Sequence, residues 1–237
     1  MKPASACRRV LAAAALLLCS YVCAAPYPNE DQLRSAIDAG GGVLKSQGIP
    51  LEMLDAQKEG LNLSLLAAGL NLNTGTCLVF YNTKPAEGLN QFFAGLEEKD
   101  LPIWLNAIAV HEATHCVEQR EAYLRQHFDK VLPPQFEHHD MTVQGYLSVV
   151  KSGAVETWGE ALADIASLLY LKEAVPERWT YFAQGIVALR HDLSARWPEH
   201  DTSGWLRQVI ARNPVREPGQ DVFEAAFELR REFQPGK

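Results

Sequence analysis

Apolar residues recur at helical spacing through most of this chain and at strand spacing in one short stretch. Over residues 31–46, Leu33, Ile37 and Val43-Leu44 fall on one stripe, which reads as a helix whose middle is weakened by Gly40-Gly41-Gly42. Residues 51–70 are mixed, with Gly60 and Gly69 as breaks. Thr76–Tyr81 is the clearest strand, β-branched and aromatic, bounded by Asn73-Thr74-Gly75 and Asn82-Thr83-Lys84-Pro85. The next pattern predicts a long helix from near Pro102 to about Phe128, with Asp100 as N-cap and Pro102 in the first turn, ended by Pro133-Pro134. Residues 135–142 read as loop and 143–150 as a short strand or helix. Helices are predicted over 155–172, 177–197, 203–211 and 221–233, with Pro176, Pro198, Pro214 and Pro218-Gly219 between or after them. The pattern predicts an α+β fold, mostly helical, with a small sheet before the long helix and a helical C-terminal half.

The first residues change that picture, because they read as an address. Lys2, Arg8 and Arg9 precede an apolar run over Val10–Leu18, and Val22 and Ala24 fit the small-residue pattern of a signal peptidase site. Cleavage is expected after Ala24, since a cut after Ala25 would place Pro26 directly behind the scissile bond. A retained anchor is the alternative, but the run is shorter than the roughly 20 residues that span a bilayer. The expectation is a signal peptide over 1–24 and a single domain over 25–237, secreted or periplasmic, with no stable membrane insertion after cleavage.

Loss of such a leader takes Lys+Arg from 22 to 19 against 29 Asp+Glu, a net charge of −10. An acidic chain with no basic stripe is a poor partner for nucleic acid or an anionic membrane surface. Of five cysteines, Cys77 and Cys116 lie beyond the leader. In an oxidising compartment they can form one disulfide, bracing the long helix against the Cys77 segment; two buried thiols are the alternative. Thiolate ligation by Cys116 is disfavoured, because the residue after His115 points about 100° away on a helix.

The candidate chemistry lies on the long helix. Ala109-Val110-His111-Glu112-Ala113-Thr114-His115 contains H-E-x-x-H. Residues four apart share a helix face, so both imidazoles reach one zinc ion, and Glu112 is turned toward the open coordination position as a proton acceptor. Two buried histidines on an apolar helix have little structural reason to be there without such a role. Zinc still lacks a protein ligand. A longer signature with Gly and a third His downstream fails, because Glu118 and Glu121 occupy those positions. Glu118 also lies about 10 Å along the axis from His111.

A second helix supplies a better donor. Trp158-Gly159-Glu160-Ala161-Leu162-Ala163-Asp164 sets Glu160 and Asp164 one turn apart in an apolar stretch, where two carboxylates call for a cation. Glu160 is the expected third ligand, and Asp164 the acceptor that orients a ligand imidazole. Glu156, one turn earlier on the same face, is the rival, and His138 and His139 sit in a loop that predicts no geometry.

These two segments resemble the gluzincin metallopeptidases, of which thermolysin is the familiar member. The resemblance covers the two short helical stretches only, and their separation is longer than in thermolysin. It implies a zincin-like fold, one zinc ion held by His111, His115 and Glu160, Glu112 as general base and Asp164 behind the ligands. Such enzymes add a donor for the developing oxyanion, often His or Tyr. His200, in Glu199-His200-Asp201-Thr202-Ser203-Gly204, is similar to the His-x-x-Ser-Gly stretch that carries this residue; a surface histidine beside a helix cap is the other reading, and Tyr146 and His191 are weaker candidates.

A peptide or protein substrate is implied, and the Thr76–Tyr81 strand is expected to offer it an edge. Two further readings stay open: a zinc-binding, non-catalytic interaction protein on the same fold, and a helical structural protein with an accidental motif.

Overall fold

The computed structural model describes residues 27–86, 89–136 and 141–233. The expected leader, His138 and His139 lie outside the described residues. No helix among those described is long and apolar enough to cross a membrane.

The chain is α+β and mostly helical. Helix α1 (Glu30–Lys45) starts at Asn29, whose side chain accepts the Gln32 N–H while the Gln32 side chain accepts the Asn29 N–H. Three strands follow: β1 (Leu51–Asp55), β2 (Leu66–Asn71) and β3 (Thr76–Tyr81). They form one sheet in the order β1-β3-β2. β1 runs parallel to β3 with Leu51 opposite Cys77, and β2 runs antiparallel with Leu66 opposite Tyr81.

The ambiguous stretch therefore holds two strands. Gly60, at φ 70°, serves the turn between them, whereas Gly69 is an interior residue of β2. β3 is flanked on both sides, so it offers no edge; its alternating burial reflects a central strand. The edge that borders the candidate site is β2.

After α2 (Leu89–Ala94) comes α3 (Leu101–Gln119). Asp100 makes no side-chain cap. Its carboxylate instead accepts two bonds of 2.7 Å from Arg178, which ties the start of α3 to the turn before α7 (Trp179–Leu193). The predicted single helix to Phe128 ends as α-helix at Gln119. A π-helical turn over Arg120–Leu124 follows, Gln126 takes φ 56°, and α4 (Phe128–Val131) starts anew. The buried Glu121 carboxylate gathers Arg125 at 2.8 Å and His127 at 2.7 Å, contacts that fold the chain back on itself.

Thr142 caps α5 (Val143–Lys151), and α6 (Glu156–Ala174) then runs beside α3. Ala109, Val110, Ala113 and Val117 of α3 belong to one core with Leu162, Ile165, Ala166 and Leu169 of α6. The small residues let the helices approach, and the Ser167 hydroxyl donates to the Ala107 carbonyl at 2.8 Å across them. α8 (Ser203–Arg212) and α9 (Val222–Glu232) complete the fold.

On the other side of α3 lies α1, and there the glycines have a packing reason. A Cβ on Gly40 would stand 2.6 Å from Ala109 Cβ and 2.8 Å from the Ala109 carbonyl carbon. Cys77 of β3 and Cys116 of α3 are joined by a disulfide. Closing a loop with a sequence separation of 39 contributes about 4 kcal/mol in the chain-entropy picture.

Candidate metal centre

The facing surfaces of α3 and α6 bring His111 and His115 opposite Glu160. His111 Nε2 and His115 Nε2 are 3.2 Å apart. Glu160 Oε2 is 3.4 Å from His111 Nε2, and Glu160 Oε1 is 3.5 Å from His115 Nε2. Zinc–nitrogen and zinc–oxygen bonds of about 2.0–2.1 Å at tetrahedral angles separate ligand atoms by about 3.3–3.4 Å. The two imidazole nitrogens and the carboxylate, which turns a different oxygen to each of them, thus stand at spacings close to those of such a shell. Their chemistry, two imidazoles and a carboxylate, suits zinc as well.

Behind the donors, Asp164 Oδ1 lies 2.9 Å from His111 Nδ1. A neutral His111 that donates its Nδ1 proton there would keep its lone pair on Nε2, the atom nearest Glu160 and His115. Asp164 is itself held from two other sides. Arg190 of α7 donates from Nε to Oδ2 and from Nη2 to Oδ1, both at 2.7 Å, and the Thr202 hydroxyl donates to Oδ2. Arg190 Nη2 also lies 3.1 Å from Glu160 Oε2 and 3.4 Å from His111 Nε2.

The charges are strongly coupled. Burial opposes ionisation of Asp164, but Arg190 and His111 override it and hold the carboxyl at about 2. Burial likewise disfavours a charged His111, yet Glu160 and Asp164 push it up to about 10. Glu160 is lowered despite its burial, chiefly by His111, with His200 and His115 adding to it. Glu112 differs: burial is its largest influence and raises it, only partly offset by the two histidines. The two neighbouring carboxyls are thus driven apart, Glu112 upward by burial and Glu160 downward by the histidines around it.

His200 sits at the end of a 3-10 turn (Pro198–His200), with Nδ1 3.3 Å from Glu160 Oε2. It lines the same cavity as His111, Glu112, His115 and Glu160. That cavity has a volume of about 510 Å³ and a largely apolar wall that includes Leu65, Leu66, Ile108, Ile186 and Leu193.

Glu156 is placed elsewhere. It is exposed and stands near His200 Nε2 at 3.7 Å, grouped with Glu199 rather than with the two histidines of α3. Tyr146 is buried against Tyr123 and Phe128 and does not line the cavity; its hydroxyl is raised by burial. His191 is exposed.

Arg190 and Thr202 were not among the sequence candidates. The signal for Arg190 was present: Phe182, Ala183 and Ile186 are buried, and Arg190 continues their stripe at i+4 from Ile186. An arginine at the end of an apolar stripe needs carboxylate partners, and α6 carries two. Compared with protein-family models, curated proteins and solved structures, the chain has no match.

Proposed function

We propose that this chain is an exported zinc-dependent metallopeptidase of zincin-like fold, hydrolysing peptide bonds. The observation that carries the reading is the convergence of His111, His115 and Glu160: the two Nε2 atoms are 3.2 Å apart, one lies 3.4 Å from Glu160 Oε2 and the other 3.5 Å from Glu160 Oε1, and Glu112 lines the same cavity. A zinc ion bound there would act as a Lewis acid on a peptide carbonyl and make a water molecule acidic enough to lose a proton near neutral pH. Glu112 would accept that proton, a role served by a carboxyl whose affinity for protons is raised by burial. Asp164 would keep His111 in the tautomer that leaves Nε2 free. His200, which lines the cavity beside Glu160, would offer a ring N–H as hydrogen-bond donor where negative charge develops on the carbonyl oxygen. β2 would take an extended peptide along its edge.

A second reading is a zinc-binding interaction protein that does not hydrolyse. It draws support from Arg190, whose Nη2 already presents a positive charge to Glu160 and His111.

The deciding experiment measures zinc per chain and casein hydrolysis for residues 25–237 and for three variants. His111→Ala and Glu160→Ala are expected to lose the metal and all hydrolysis. Glu112→Gln is expected to keep zinc while hydrolysis falls by about 100-fold or more, as loss of a general base requires. Zinc retained in Glu160→Ala would remove the proposed site. Hydrolysis surviving in Glu112→Gln would remove the proposed mechanism, and zinc binding with no wild-type hydrolysis of any peptide would favour the second reading.

A further inference from the structure

The edge of β2 is a rail closed at both ends. Alternation in the β2–β3 pair decides which backbone groups face outward. The Asn82 N–H bonds to the Leu65 carbonyl at 2.8 Å and the Gly75 N–H to the Asn71 carbonyl at 2.8 Å, so the odd-numbered residues of β2 turn toward β3. The even-numbered residues Leu66, Ala68 and Leu70 turn their N–H and C=O groups the other way. Neither Leu66 nor Ala68 has an outward hydrogen-bond partner among the described residues. Leu66 and Ala67 both line the cavity that holds His111, His115 and Glu160.

Both ends of this open stretch are already satisfied. The Leu70 N–H donates to Gln119 Oε1 at 2.7 Å. Gln119 is the last α-helical residue of α3 and follows His111 and His115 at the same four-residue interval, so one helix face carries two metal donors and then the plug. Toward the other end, the carbonyl of even-numbered Ser64 accepts from the Tyr27 hydroxyl at 2.9 Å. The groups left open belong to Leu66 and Ala68, with the Leu70 carbonyl beyond them.

We infer that Gln119 is a specificity-determining residue that limits how far an extended peptide can pair with β2. This rests on the reading of the chain as a peptidase whose substrate lies along that edge. Pairing with Leu66 and Ala68 engages about three consecutive extended residues of a peptide. A longer strand meets the Gln119 side chain where its next backbone acceptor should find the Leu70 N–H. The substrate class that fits is a short extended segment, such as a chain end or a tight exposed loop, rather than a long extended strand.

The test uses a zinc-supplemented Glu112→Gln protein, so that peptide binds without being cleaved, and acetylated, amidated peptides of alternating alanine and leucine. Affinity by calorimetry is expected to rise from dipeptide to tetrapeptide and then level off through hexapeptide and octapeptide. Amide hydrogen exchange should slow at Leu66 and Ala68 on binding and stay unchanged at Leu70. Adding Gln119→Ala should restore the dependence on length, with the octapeptide about two- to tenfold tighter than the tetrapeptide, the range of one added backbone hydrogen bond.

Gln119→Glu keeps an acceptor for the Leu70 N–H and should keep the plateau. The inference is overturned if affinity climbs steadily with length when Gln119 is present, if Gln119→Ala leaves the plateau in place, or if Leu66 and Ala68 are not protected at saturating peptide. Protection with the expected plateau in a protein whose wild type cleaves nothing would sustain the rail and count against the peptidase reading alone.

Discussion

One buried arginine and one half-buried arginine meet the α3–α6 pair about two helical turns apart, and they are held in opposite ways. Arg230, from α9, is fully enclosed. It donates to Glu118 Oε1 at 2.8 Å, to the Trp158 carbonyl at 2.8 Å and to the Lys130 carbonyl at 2.9 Å, and it lies 4.4 Å from the centre of the Trp158 ring. Arg190, from α7, borders the cavity, and its closest partners are the two carboxylates of α6. Backbone carbonyls and an aromatic face have nothing else to bind, so Arg230 works as a fixed bolt between α3, α6 and α9. The partners of Arg190 are Glu160, a donor of the proposed metal site, and Asp164 behind it. On that proposal the same residue type is structural where its partners are inert and exchangeable where they would be ligands.

The largest effect should come from opening the sealed end. Glu118→Ala leaves Arg230 charged, buried and short of its counter-ion, and urea unfolding is expected to show a loss of about 3–5 kcal/mol. A loss under about 1 kcal/mol, the range of surface pairs, would break the contrast. Next comes the exchangeable end. Arg190→Met removes a positive charge from the edge of the donor set while Thr202 and His111 still hold Asp164. Calorimetric zinc titration should then give binding tighter by about fivefold or more, since like charges a few ångströms apart repel by at least about 1 kcal/mol. Weaker binding would mean that Arg190 orients the ligands more than it competes with the metal.

The smallest effect belongs to a third pair, Asp100 with Arg178, where the carboxylate is buried but the guanidinium is 38% exposed. Arg178 holds the Asp100 carboxyl below its ordinary value. Its contribution is therefore present above the unfolded value of about 3.9 and is lost as pH falls through the folded one. Asp100→Asn should lower stability by less than about 1 kcal/mol at pH 7 and flatten the acid limb of a pH–stability profile. A profile that is unchanged below pH 4 would show the pair to be a bystander.

How far the sequence foretold this molecule varies with the range of the interactions. Helices α1, α6, α8 and α9 and strand β3 were readable because their periodicity and boundary residues are local. His111 with His115, and Glu160 with Asp164, were readable as two helical pairs by spacing alone. Their meeting is tertiary, and its signals are the unlikelihood of unpartnered carboxylates in apolar surroundings and the resemblance of the two segments to the gluzincins. Asp100 looked like a cap because a cap is a local role, whereas its partner lies 78 residues away. β1 and β2 were hidden by Gly60 and Gly69, which are equally consistent with breaks, and which strand forms the edge depends on sheet order, to which strand composition is blind. Arg190 gives no local signal of chemistry, since an arginine in a helix usually faces solvent.

The contact between Gly40 and Ala109 reaches further than packing. Ala109 stands two residues before His111, so the first helix forms the anvil against which the histidine-bearing segment is seated. A methyl group at position 40 would have to move that segment by a sizeable fraction of an ångström, whereas the carboxylate opposite belongs to another helix and would stay behind. The tuning of the three-donor set is therefore a property of the whole α1–α3–α6 stack, and a fault in it can originate at a residue that never sees the cavity.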